Sequence, residues 1–249
     1  MATLQALRRS QVPGFAVLLD PHDLRAQDLS ELIAALQAAR PTLVLLGGSL
    51  VGTRNWEPLV AQLRASLTCP VVLFPGHVSQ LTAQADAVLF LSLISGRNPE
   101  LLIGQHVHAA PRVRELGLEV VPTGYLLFDT GRPTAAHYMS HTPPLPAHKP
   151  ELAAYTALAG TYLGLQVLYL DAGSGATAPI PPETVRAVRA LVDVPIIVGG
   201  GIRSPQQAQA LLAAGADCFV VGTAFEEAHP AGGGDTLLAA FAALALPAH

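Results

Sequence analysis

The chain has 249 residues, 51% hydrophobic and 13% charged, with 14 Lys and Arg against 18 Asp and Glu for a formal net charge of −4. That balance, with no basic cluster, excludes nucleic acid as the expected partner. The apolar residues fall in short runs and never in a span of about 18, which excludes a transmembrane helix. Cys69 and Cys218 suit a reducing compartment. The opening "MATLQALRRSQVPGF" lacks the long apolar segment of a signal peptide, so a cytoplasmic location is expected. A mean hydropathy of +0.41 points to an apolar groove or a subunit interface, unless a tightly packed barrel accounts for it alone.

In chain order, the strand "FAVLL" is followed by a helical pattern over 29–39, "TLVLL" by one over 56–66, and "VVLF" by "PGHVSQLTAQA", too short and polar for a full helix. Next come "AVLFL" with a helix over 100–116, and "EVVPTGYLLF" with the Pro-rich loop "HTPPLPAHKP" and a helix over 151–163. "VLYL", "PIIVG" and "CFVVG" then precede helices over 182–191, 205–214 and 236–246. Eight strands joined by crossover helices predict an α/β fold, a single (β/α)8 TIM barrel over residues 1–249 with a shortened or missing third helix. A doubly wound open sheet is the alternative.

In a barrel the ligand site lies past the C-terminal strand ends, which here carry Asp20, residues 47–49, Pro75, Gly76, residues 92–97, Tyr125, residues 171–175, residues 199–201, Gly222 and Thr223. The glycines gather on the last three loops. Glycine lets backbone N–H groups approach an anion closely, so "VGGGIRSPQQA" and "VVGTAFEE" predict a phosphate site, against the reading that they only make tight turns. Ser204 should cap the following helix, with Pro205 at its first position.

Asp20 and Ser49, on neighbouring strand ends, supply the carboxylate and hydroxyl with which proteins commonly hold Mg²⁺; equally, Asp20 caps a turn and Ser49 starts a helix. Asp171 follows a buried run, and so is either a partly desolvated base or a structural acid bonded to the glycine loop. Arg97 either reaches a diphosphate with its bidentate fork or braces its own loop. The single lysine, Lys149, lies in the Pro-rich loop, so no strand offers a Schiff-base amine. His106 and His108, two apart on a predicted helix, face different ways and do not suggest a metal site.

The stretches "LLDPHD", "LLGGSL", "LFPG", "LFLSLISGRNPELLIGQHV", "PTGYLLFDTGRPTAAHYMS", "AYTALAGTYLG", "YLDAGSGA", "VGGGIRSPQQA" and "VVGTAFEE" run in order over nearly the whole chain. They resemble the geranylgeranylglyceryl phosphate synthases, prenyltransferases related to the heptaprenylglyceryl phosphate synthases. The resemblance implies one prenyltransferase domain that joins sn-glycerol 1-phosphate to geranylgeranyl diphosphate with Mg²⁺, releasing diphosphate and an ether lipid precursor. It implies that Asp20 and Ser49 hold the metal, and that the glycerol phosphate rests on the segment of Leu170, Ala172, Gly173, Ser174 and Gly175 together with Gly200, Gly201, Gly222 and Thr223. Tyr125 and Tyr169 would orient the glycerol, and Asp171 would take the proton from its hydroxyl. A homodimer or higher homo-oligomer and peripheral membrane contact at product release are expected, and a shortened third helix is a trait of the family.

Three stretches depart from the family pattern, at four positions. Asp20-Pro21-His22-Asp23 stands where the family reads Asp-Pro-Asp-Lys, Asp171 where it has Glu, and His137 where "TAVEY" has Glu. The competing readings are a non-catalytic barrel that binds prenyl diphosphate or glycerol phosphate, and a phosphate-binding barrel isomerase or lyase.

Overall fold

Alternation along each strand decides which side chains meet the helices and which fill the interior. The computed structural model describes residues 2–8, 13–22, 28–49, 56–228 and 234–245. In β1 (Gly14–Leu19), Phe15, Val17 and Leu19 pack outward while Ala16 and Leu18 face inward. The same split continues through β2 (Leu43–Leu46), β3 (Val71–Leu73), β4 (Ala87–Leu93) and β5 (Glu119–Asp129). A two-residue strand, β6 (Leu145–Pro146), pairs only with the end of β5. β7 (Val167–Asp171), β8 (Ile196–Gly199) and β9 (Cys218–Val221) complete the set.

Every pairing is parallel, and β1 pairs with both β2 and β9 while β4 pairs with β5. The sheet therefore closes on itself as an eight-stranded barrel with β6 outside it, and the open-sheet alternative falls.

The outer core is the layer between strands and helices, and these helices follow the expected order. They are α2 (Leu29–Ala39), α3 (Glu57–Ser66), α4 (Gln105–Leu116), α6 (Pro150–Tyr162), α7 (Pro182–Arg189), α8 (Pro205–Ala213) and α10 (Gly234–Ala242). α8 begins as its sequence predicts: Ser204 Oγ accepts the Gln207 N–H at 3.3 Å, Gln207 Oε1 accepts the Ser204 N–H at 3.2 Å, and Pro205 follows the cap. α4 is preceded by a π-helical turn, Glu100–Gly104, which the helical periodicity did not reveal.

Between β3 and β4 the structure holds a 3₁₀ turn, Val78–Gln80, in place of a third helix. Gln80 is buried there, accepting the Gly76 N–H at 2.8 Å and donating to the Gly48 carbonyl at 3.2 Å, so the loops after β2 and β3 are tied together. Without a full helix over this sector, Phe90 and Ser92 of β4 stay only partly buried.

Three helices lie outside the eight-unit pattern. α1 (Ala2–Arg8) places Leu7 among the inward-facing residues and donates the Thr3 N–H to Glu119 Oε2 at the start of β5, so it covers the N-terminal mouth of the barrel. α5 (Ala135–Ser140) follows β5, and α9 (Thr223–Ala228) follows β9, both on the C-terminal side.

Candidate active site

The C-terminal strand ends surround a cavity of about 470 Å³. Its lining contains Asp20, Ser49, Tyr125, Tyr169, Asp171, Ser174, Gly175, Gly200, Gly201, Gly222 and Thr223, so most residues singled out in the sequence converge on one space. The floor is aromatic: Phe74 stacks on Tyr169 at 4.9 Å between centroids and meets Tyr125 edge-on at 5.9 Å.

Asp171 ends β7, where alternation sends Leu168 and Leu170 outward and Tyr169 and Asp171 inward. Tyr125 lies opposite Tyr169 in the register of β5 with β7. Its hydroxyl donates to Asp171 Oδ2 at 2.5 Å, while the Gly173 N–H donates to Oδ1 at 2.8 Å. Burial pushes the Asp171 carboxyl above its ordinary value, and these two hydrogen bonds pull the other way. Burial also holds the Tyr125 and Tyr169 hydroxyls well above the usual phenol value, with the Asp171 charge adding to it. Tyr125 therefore remains a donor to a carboxylate that is more basic than a solvated one.

The glycine loops do two things. Gly200, at φ +80°, leaves room that a Cβ would take, since it would lie 2.7 Å from the Gly173 nitrogen and 2.8 Å from Asp171 Oδ1. Ser174 Oγ and Thr223 Oγ1 lie 3.5 Å apart, which joins the loops after β7 and β9 at the cavity wall.

On the β1 side, Asp20 Oδ1 accepts the His22 N–H at 2.9 Å, and the Asp20 N–H donates to Glu226 Oε1 at 3.2 Å. A Cβ on Gly48 would overlap Asp20 Oδ2, so the bare backbone of the β2 loop gives that carboxylate its place beside Ser49. Asp23 lies outside the described residues.

Of the residues given a substrate or diphosphate role in the sequence, four are absent from the lining. Leu170 packs into the outer core, the Ala172 N–H donates to the Gly199 carbonyl at 3.0 Å, and Gly173 spends its N–H on Asp171. The Arg97 guanidinium donates to the Gly96 carbonyl at 2.7 Å and the Ile94 carbonyl at 3.4 Å, the loop-bracing arrangement. In the other direction, Glu226, Arg203, Ala135 and Ala136 line the cavity although the sequence reading did not select them. Glu226 and Arg203 stand inside stretches already notable for their glycines, but their inward placement depends on how α9 and the β8 loop turn. The Arg203 guanidinium meets Glu227 at 2.7 Å.

The chain is similar to known proteins in sequence and in fold. A protein named geranylgeranylglyceryl phosphate synthase from Chitinophaga pinensis is 50% identical over 216 residues, covering 87% of this chain and 86% of that one. One of the same name from Thermococcus kodakarensis is 40% identical over 213 residues, covering 85% of this chain and 84% of its own. The crystal structure of (S)-3-O-geranylgeranylglyceryl phosphate synthase from Thermoplasma acidophilum in complex with sn-glycerol-1-phosphate matches with a TM-score of 0.89 at 28% identity, covering 98% of this chain and 96% of that one. The PcrB family profile matches residues 6–243, and the chain belongs to the PcrB family.

Proposed function

We propose that this protein is a geranylgeranylglyceryl phosphate synthase, a prenyltransferase that joins sn-glycerol 1-phosphate to geranylgeranyl diphosphate and yields an ether lipid precursor and diphosphate. The observation that carries the reading is one cavity lined by the oxygen donors Asp20 and Ser49, by the glycine loops and by the buried Asp171. The similarly named relatives, one of them 50% identical, support the same substrate pair.

Among the described residues no group of three or more His, Cys, Asp or Glu side chains gathers to cage a metal. Asp20 and Ser49 are hard oxygen donors, and with water and diphosphate oxygens completing the shell they fit Mg²⁺. When bound, the metal neutralises charge on the leaving diphosphate. The chain's own residues do the rest. Backbone around Gly175, Gly200, Gly201 and Gly222, with the hydroxyls of Ser174 and Thr223, holds the phosphate of the glycerol substrate. Tyr169 and Phe74 support that substrate from below, and Tyr125 fixes the Asp171 carboxylate. The allylic carbon–oxygen bond breaks with its electron pair going to diphosphate, the glycerol hydroxyl oxygen bonds to that carbon, and its proton goes to Asp171.

In this reading the protein works in the cytoplasm, and no helix among the described residues is long and apolar enough to cross a membrane. It assembles as a homodimer or larger ring, with the exposed Leu152, Tyr155, Tyr162 and Leu163 around α6 as apolar surface to cover, and it touches the membrane only as product leaves.

The test is incubation with sn-glycerol 1-phosphate, Mg²⁺ and labelled geranylgeranyl diphosphate. Appearance of the labelled ether supports the reading; binding of both ligands without ether sinks it in favour of a binding protein. Gly48→Ala probes the metal side separately. Displacing Asp20 Oδ2 is expected to lower turnover by about tenfold or more and to raise the Mg²⁺ concentration needed for half-maximal rate.

A further inference from the structure

The side chain of His137 on α5 has both ring nitrogens engaged by backbone. Nδ1 accepts the Thr134 N–H at 3.1 Å, which places the ring proton on Nε2, and Nε2 lies 3.1 Å from the Phe128 carbonyl of β5. His137 therefore ties the start of α5 both to its own N-cap and to a barrel strand. α5 is pinned at its other end as well, where Asn98 Nδ2 donates to the Ser140 carbonyl at 2.9 Å.

Thr134 in turn fills the space above Gly173: a Cβ on Gly173 would meet Thr134 Cγ2 and Oγ1 at 2.7 Å each. The loop before α5 makes a second contact with the same segment through Thr130 Oγ1, 3.4 Å from the Ala172 carbonyl. Gly173 is the residue whose N–H holds Asp171 Oδ1. Ala135 and Ala136, next in line on α5, face the cavity.

We infer that His137 is a positioning residue for Asp171: by bracketing Thr134 and Phe128 it fixes the α5 start against Gly173, and Gly173 then presents its N–H to the carboxylate. The inference rests on the reading of Asp171 as the proton acceptor. The chain itself shows which residue can replace the histidine. Gln207 occupies the same third helical position in α8 and accepts its own N-cap N–H at 3.2 Å, and a glutamine at 137 would also have an amide to donate to Phe128.

The test compares H137Q with H137L in the transfer assay and in amide hydrogen exchange at Gly173. H137Q is expected to match the wild type in both. H137L is expected to lose about tenfold in kcat with KM for sn-glycerol 1-phosphate within about threefold, because the phosphate loops are untouched while the acceptor is misplaced. Its Gly173 amide is expected to exchange about tenfold faster, and calorimetric binding of sn-glycerol 1-phosphate shows that the variant is folded. Wild-type kcat in H137L, equal impairment of both variants, or a change confined to KM overturns the inference. Gly173 exchange needs no turnover. If the wild type forms no ether, unchanged exchange in H137L still overturns the positioning role, and faster exchange restored by H137Q still supports it, while the transferase reading fails separately.

Discussion

Asp171→Asn is expected to lower ether formation by about 10²- to 10⁴-fold, the contribution of a positioned general base, while sn-glycerol 1-phosphate still binds. The substitution is close to isosteric. Its amide oxygen accepts the Gly173 N–H, and its amide nitrogen donates to the Tyr125 hydroxyl where Asp171 now accepts from it at 2.5 Å. Geometry is thus conserved and basicity removed. Full turnover in the Asn variant would remove Asp171 as the proton acceptor.

The same burial that raises the Asp171 carboxyl sets two pH effects. Turnover in the wild type falls as the pH drops through a value above the ordinary carboxylate one, since only the ionised form accepts the proton. Stability runs the opposite way. Between the unfolded value and the raised folded value the native state binds more protons than the unfolded chain, so this group's stabilisation is present at low pH and is lost as the pH rises. At neutral pH the folded protein holds a buried charge that Asn does not carry, and Asp171→Asn is expected to melt at or above the wild-type Tm, with the gap narrowing towards acid. Asp171→Glu serves as the companion: one more methylene carries the carboxylate into the cavity, and activity is expected to be kept or raised.

How much of this was legible follows from what each feature depends on. The eight strands were readable because each is a short apolar run that barrel closure buries on both faces, and Ser204-Pro205 was readable because a helix start is decided within four residues. The missing third helix was readable from polarity alone. Which members of a loop face inward was not. "LYLDAGSGA" contains lining and non-lining residues side by side, and only the turn after β7 sends the Gly173 N–H to Asp171 while Ser174 and Gly175 reach the cavity. Arg97 illustrates the same limit. Its sequence setting allowed either a diphosphate or a loop role, and the carbonyls of Ile94 and Gly96 that engage it are set by the fold. Glu226 needed the closure of β9 against β1 to come near Asp20, a contact across 206 positions of sequence.

The two readings of Asp20 that local sequence left level are separated by Asp20→Asn and Asp20→Ala. Both roles have a structural basis, because Oδ1 caps the turn through the His22 N–H while the carboxylate lines the cavity beside Ser49. Asparagine keeps an oxygen for His22 and loses the charge; alanine loses both. If the carboxylate holds Mg²⁺ against the diphosphate, the two variants should fall together by about 10²- to 10³-fold in turnover, equivalent to the several kcal/mol a metal contributes to developing charge. Calorimetric binding of Mg²⁺ in the presence of inorganic diphosphate should weaken in both, and sn-glycerol 1-phosphate affinity should change little because its loops follow β7, β8 and β9. If turn capping is the whole role, Asp20→Asn should behave as wild type and only Asp20→Ala should fail, and that pattern would transfer the metal to other donors of the same wall.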